Sequence, residues 1–128
     1  MAHFAKLTPD NEVIAVIVVN NSDIDNLPFP ESEPVGIAYC QSVFGDDIIW
    51  KQTSYNNNFR REYACRGGFY YPATDVFVRS KPYPSWYFDA AVANWVAPVP
   101  MPTVPYGYIA IWSEDDQKWY FQLNASQV

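Results

Sequence analysis

The chain has 128 residues, a length that makes a single domain the default and lets it bury only about two-thirds of its unfolded surface. Aromatic residues make up 18% of it, with eleven prolines against five glycines, which excludes an unfolded chain and favours short strands joined by extended connections. The net charge of −6 is uneven: between Lys51 and Lys81 six basic residues (Lys51, Arg60, Arg61, Arg66, Arg79, Lys81) stand against Glu62 and Asp75, a local +4, while the remainder carries −10.

In chain order, residues 3–7 read as a first strand and residues 8–12 as a turn, with Pro9 preset for a turn position and Asp10 and Asn11 following. The run 13–19 (VIAVIVV) is the strongest strand signal, rich in β-branched residues. Its lack of alternation predicts burial on both faces, by a helix on one side and by a partner or another layer on the other. Residues 20–26 end that strand, and the proline-punctuated 27–34 reads as an extended linker. A helix is expected over 34–44, with Ser32 as N-cap, Pro34 in the first turn and Gly45 as its stop in the left-handed region. Its predicted anchors on the sheet are Tyr39, Val43 and Phe44. A strand follows at 48–53. The asparagine-rich 54–63 has no period and reads as turns.

The second half repeats one pattern, an aromatic strand, a short polar turn and a second aromatic strand, at 69–79, 85–97 and 108–122. Trp86 with Trp95, and Trp112 with Trp119, are predicted cross-strand neighbours, a pairing that contributes roughly 0.2–1 kcal/mol. Prolines at 82, 84, 98, 100 and 102 bracket the middle hairpin. The run 98–102 (PVPMP) favours an extended left-handed conformation, suited either to a stiff spacer or to docking in an aromatic groove. The final residues, 124–128, read as a loose polar tail. The expected class is α+β, mostly β: N-terminal antiparallel strands with one short helix in 1–80, then an arm of aromatic β-hairpins and extended proline segments in 81–128.

Sites of chemistry are sparse. His3 is the only histidine, and Cys40 and Cys65 have no near partner and no metal spacing. The two cysteines read as isolated thiols, with a disulfide between them left open. The acidic groups Asp46 with Asp47, and Glu114 with Asp115 and Asp116, lack calcium-loop spacing and read as solvated turns. There is no glycine-rich phosphate loop, and the pair Gly67 and Gly68 reads as a sharp bend. We therefore expect no catalytic residue, no metal and no cofactor. Arg60 and Arg61 read either as an exposed loop pair or as holders of a carboxylate or phosphate. The basic middle suits contact with neighbouring copies or an acidic surface, or an ordinary solvated face. It carries no nucleic-acid module, so no nucleic-acid partner is expected. The longest apolar run is too short to span a bilayer as a helix, and the start lacks a signal-peptide pattern, so neither a membrane partner nor secretion is expected. The glycosylation patterns at 20–22 and 124–126 then carry no weight. Aromatic anchors are typical of interfaces. Tyr83, Trp86, Trp95, Trp112 and Trp119, with Arg60 and Arg61, are the interface candidates.

Several segments, MAHFAKL (1–7), NEVIAVIVVN (11–20), GIAYCQSVFG (36–45), QTSYNNNFR (52–60), PYPSW (82–86) and WVAPVPMP (95–102), resemble a family of small virion structural proteins of tailed bacteriophages, especially phages of cyanobacteria. The resemblance covers nearly the whole chain, with departures at Cys65 and 20–34. It implies a non-enzymatic virion component, assembled in the host cytoplasm, whose partners are other virion proteins, foremost the major capsid protein, with self-association as a further expectation. Within that class a capsid decoration or cement protein is favoured over a tail, baseplate or fibre component. A carbohydrate-binding host-recognition module is the remaining alternative, expected to use an exposed tryptophan beside Asp89 or Asp115.

Overall fold

The computed structural model describes residues 1–124; the tail expected at 124–128 lies, beyond Asn124, outside them. The fold is α+β and mostly β, with strands of three to seven residues and, among the described residues, one α-helix and one short 3-10 turn. The chain divides into two compact units, Met1–Ser80 and Lys81–Val128.

The first unit is built on three antiparallel strands, β1 (Ala2–Leu7), β2 (Val13–Val19) and β3 (Ile49–Thr53), in the order β2-β1-β3. A turn closed by Thr8 and Asn11 joins β1 to β2, with Asn11 at φ 69°. Alternation along β1 sends Phe4 to one face and Ala5 and Leu7 to the other. On the first face Ala2, Phe4, Val19 and Trp50 pack with Cys40 of helix α1 (Ser32–Phe44) and with Ile24 from the 3-10 turn Asn21–Ile24. On the second, Ala5, Leu7 and Val13 pack with Ala64, Tyr70 and Phe77. Tyr70 and Phe77 come from a hairpin of β4 (Phe69–Tyr71) and β5 (Val76–Val78). The expected burial of β2 on both faces holds only in part: Val13 and Val19 are buried, but β2 is an edge strand and Ile14 and Val18 are exposed, at 40% and 56%. The second layer is stitched to the start of β2 by Val13 N–H to the Gly68 carbonyl and by Tyr70 N–H to the Asn11 carbonyl.

The helix meets the sheet differently from expectation. Its buried residues are Ser32, Gly36 and Cys40, four apart on one stripe, while Val43 and Phe44 are about half exposed, at 54% and 50%. Close approach is the reason: a Cβ on Gly36 would lie 2.0 Å from Cζ of the fully buried Phe4. Large anchors would hold the helix away. Of the three expected, Tyr39 does pack partly against the core, and Phe44 tilts over Trp50 at 5.6 Å. Ser32 is the first helical residue rather than the N-cap, which is Glu31. The Ser32 hydroxyl donates instead to Oε1 of Gln52 at 2.7 Å, across to β3. Gly45 does end the helix at positive φ, but at φ 115° and ψ 153° it lies outside the left-handed helical region. The stretch 27–34 is not extended: the Phe29–Pro30 peptide is cis, and Ser32 and Glu33 N–H groups bond back to the Pro28 and Pro30 carbonyls.

Among the described residues, the second unit holds two separate hairpins. Strands β6 (Tyr87–Asp89) and β7 (Asn94–Val96) form one, and β8 (Tyr108–Ser113) and β9 (Lys118–Leu123) the other. The sequence between them, 97–107, holds Pro98, Pro100, Pro102 and Pro105 and has no regular structure. Both cysteines are free thiols, and burial pushes that of Cys40 up to about 11. No helix among the described residues is long and apolar enough to cross a membrane.

Candidate functional site

In the second unit, β8 and β9 pair in register, with Tyr108 opposite Leu123, Ala110 opposite Phe121 and Trp112 opposite Trp119. Directly opposed residues share a face. One face of the ribbon is therefore apolar from end to end. The other carries Ile109 opposite Gln122, Ile111 opposite Tyr120 and Ser113 opposite Lys118.

Three tryptophans close one end of the apolar face. Trp112 and Trp119 meet edge-on at 5.2 Å, as expected for cross-strand neighbours, and Trp86 packs on both at 6.1 and 6.0 Å. Tyr83 extends the cluster to Trp86 at 5.5 Å. The expected pairing of Trp86 with Trp95 does not form. Trp86 precedes β6 in a turn closed by its own N–H to the Tyr83 carbonyl, and Trp95 instead lies opposite Phe88, their rings 5.8 Å apart. Trp95 also has the Lys81 ammonium over its ring at 5.8 Å.

Glu114 locks this arrangement. Its carboxylate accepts from the Ser85 N–H at 3.0 Å, the Ser85 hydroxyl at 2.7 Å and the Trp112 indole N–H at 2.9 Å. The Ser85 hydroxyl and the Trp112 indole hold the carboxyl below its ordinary range, with the Ser85 backbone amide and Lys81 adding to the effect. Nothing in the sequence distinguishes Glu114 from the solvated turn residues beside it; its partner Ser85 lies far away in the chain. The Trp119 indole N–H donates to the Val99 carbonyl at 2.8 Å, so the proline segment is tied to the ribbon through its backbone. The Trp86 indole nitrogen is buried without a hydrogen-bond partner.

These contacts divide the interface candidates. Trp112 is core, 6% exposed, and Trp86, Trp119, Trp95 and Tyr83 are part-buried against their neighbours. No tryptophan among the described residues is exposed, which leaves the tryptophan-based sugar platform without its ring. The open apolar surface lies farther along the ribbon. Tyr108, Phe121 and Leu123 on one face, and Ile109, Ile111 and Tyr120 on the other, are each between 40% and 52% exposed. Among the described residues β8 and β9 pair only with each other, so both edges of the ribbon are open as well. The alternation within 108–123 marks these smaller residues in the sequence, but the neighbouring tryptophans carry the stronger interface signal.

The arginine pair separates too. Arg60 is not exposed: its side chain is 7% accessible and its guanidinium is spent inside the first unit. It forms an ion pair with Glu33, donates to Asp75 Oδ1 at 2.8 Å and to the Gln52 carbonyl at 2.9 Å, and lies over the Phe29 and Tyr70 rings. The carboxylates it holds belong to its own chain. Burial would raise the carboxyl pKa of Glu33, but the hydrogen bond from Arg60 and the Gln52 amide bring it below the ordinary range. Asp75 is likewise lowered overall, the Tyr70 hydroxyl and Arg60 outweighing burial. Burial and the bond to Asp75 push Tyr70 up to about 12. Arg61 is exposed, with its guanidinium donating to the Phe77 carbonyl at 3.2 Å.

No group of three or more potential metal ligands is found among the described residues. His3 stacks against Tyr55 at 5.4 Å, and burial with the nearby terminal amine lowers its pKa. Comparisons of the chain with protein-family models, with curated proteins and with solved structures return no match.

Proposed function

We propose that the chain is a non-enzymatic structural protein of a tailed-phage particle, a decoration or cement protein that binds neighbouring capsid subunits through its second unit. Two things support this reading. One is the resemblance of the segments between residues 1 and 102 to small phage virion proteins. The other, which carries the argument for an interaction protein, is the β8–β9 ribbon with apolar residues exposed on both faces and both edges open. A lone two-stranded hairpin is marginal in water, and exposed apolar patches of this kind mark interaction sites. Backbone groups along an open edge add directional affinity when a partner strand pairs with them.

The test is location. Purified heads and purified tails of the phage, separated and quantified by mass spectrometry, should contain the chain in heads, and a density map of the head should show the β8–β9 ribbon against capsid protein. Recovery in tails with none in heads overturns the decoration assignment in favour of a tail or baseplate component. Absence from both fractions overturns the virion assignment itself.

A further inference from the structure

The first unit carries a concave feature of its own, unrelated to the ribbon. Where the start of β1 meets the end of β3 lies a cleft of about 180 Å³, lined by His3, Gln52, Ser54, Tyr55, Asn56 and Asn58 among others. No aspartate, glutamate, lysine or arginine side chain lines it; the cation at its edge is the α-amine of Met1, close enough to act on His3. A phosphate or carboxylate ligand would find no cationic side chain of lysine or arginine there, only the single Met1 amine. The volume is below the roughly 300–1,000 Å³ typical of sites for drug-sized ligands, so the ligand is a single small ring or the end of a chain.

The loop that walls the cleft uses its three asparagines unequally. Asn57, at φ 60°, turns the backbone and its Oδ1 accepts from the Tyr63 N–H at 2.8 Å. The Ser54 hydroxyl accepts from the Asn58 N–H at 2.9 Å, closing the turn from the other side. Phe59 is stacked on Phe29 at 3.7 Å, and Arg60 is pinned by Glu33 and Asp75. The loop is thus held at both ends. Yet the side-chain amides of Asn56 and Asn58 bond to nothing among the described residues, and both are exposed beside the cleft. Each offers two donors and an acceptor from a backbone that the loop contacts hold. Tyr55 stands next to them, 65% exposed, braced by His3 at 5.4 Å and Tyr63 at 5.2 Å.

Amides without internal partners on a held loop, an exposed and braced aromatic ring, and a lining without charged Asp, Glu, Lys or Arg side chains are together the chemistry that recognises a sugar. Hydroxyl groups both donate and accept, as amides do. The weakly positive C–H face of a pyranose ring is drawn to the negative face of an aromatic ring. We infer that this cleft is a binding site for a neutral saccharide, with Tyr55 as the stacking platform and Asn56 and Asn58 as the hydroxyl-reading groups. The inference stands independently of where the chain resides in any particle.

The experiment is a titration of the isotope-labelled full chain with the methyl glycosides of glucose, galactose, mannose and N-acetylglucosamine, with inorganic phosphate and adenosine as comparators. At least one glycoside should give saturable amide shifts confined to residues 52–59 and their neighbours on β1. Tyr55→Ala, and Asn56→Ala combined with Asn58→Ala, should each weaken that binding about tenfold while leaving the rest of the spectrum in place, because neither change removes a hydrogen bond of the fold. Three results overturn the proposal: no saturable shift with any glycoside, a stronger response to phosphate or adenosine than to every sugar, or glycoside binding unchanged in both variants.

Discussion

Arg60 does the most for the first unit of any single charged residue, because it joins four separate pieces of chain. It bonds the first turn of α1 at Glu33, the end of β3 at the Gln52 carbonyl and the β4–β5 turn at Asp75, all from an irregular loop. Removing it as Arg60→Ala would leave the Glu33 carboxylate, 15% accessible, without its counter-charge. We expect a loss of about 3 kcal/mol in urea unfolding, within the range for breaking a buried pair. Glu33→Gln in the Arg60→Ala background should then cost less than it does alone. The same network makes the fold sensitive to acid. Glu33 and Asp75 have folded-state pKa values below their ordinary 4.5 and 3.8, so in that region the unfolded chain binds more protons. Their contribution is complete above the ordinary values and is lost as pH falls through the depressed ones. A series of unfolding curves taken downward from pH 6 should show stability dropping below about pH 4.5, and a shallower drop in Arg60→Ala. Gly36 is the steric counterpart of this electrostatic node. A methyl group there improves intrinsic helix propensity by about 1 kcal/mol, but it collides with Phe4. Overpacking of roughly 1–3 kcal/mol wins, so Gly36→Ala should lower the melting temperature rather than raise it.

At the scale of elements, the hairpins were the most legible part of the sequence and the contacts between elements the least. Alternating aromatic residues about a short polar turn identified β8 and β9 and the Trp112–Trp119 pair, since cross-strand neighbours leave a local pattern. Trp86 left no such pattern. It sits in a proline-flanked turn, and its partners Trp112 and Trp119 come from another hairpin. For Arg60 the sequence leaves an exposed loop residue and a holder of a carboxylate both open, and it hides which carboxylates are held because Glu33 and Asp75 are distant in the chain. The helix was found, but its contact stripe of Ser32, Gly36 and Cys40 is too weakly apolar to announce itself. The surface that matters for the proposed function follows from the ribbon's geometry. Ile109 and Ile111 are exposed on the face opposite the tryptophans, so replacing both by serine should leave the Trp112–Glu114 lock intact. The doubly substituted chain should show an unchanged far-ultraviolet spectrum. Its occupancy on capsids, measured by quantitative mass spectrometry of particles assembled in its presence, should fall at least about tenfold, the effect of losing 1.4 kcal/mol. Full occupancy would mean that this face is not the contact.

For the molecule as a whole, the two units differ in how much they hold themselves together. Among the described residues, thirteen of the buried apolar ones lie in the first unit, whereas the second has three, Ala93, Ala97 and Trp112. Apolar burial is the main favourable term in folding, and the second unit adds to it chiefly a part-buried aromatic cluster and the Glu114 and Trp119 hydrogen bonds. Local stability is set by such differences in packing, and segments with few buried contacts open most easily. Backbone amides of β8 and β9 should therefore exchange with solvent faster than those of β1 and β2 in the free chain, by one to two orders of magnitude, which corresponds to roughly 1.4–2.8 kcal/mol. A partner that binds the ribbon stabilises it by mass action. On capsid particles the exchange of β8 and β9 should slow toward that of β1, while the first unit changes little. If instead both units exchange alike in the free chain, the second is stable without a partner, and its exposed apolar residues lose their strongest physical reason to seek one.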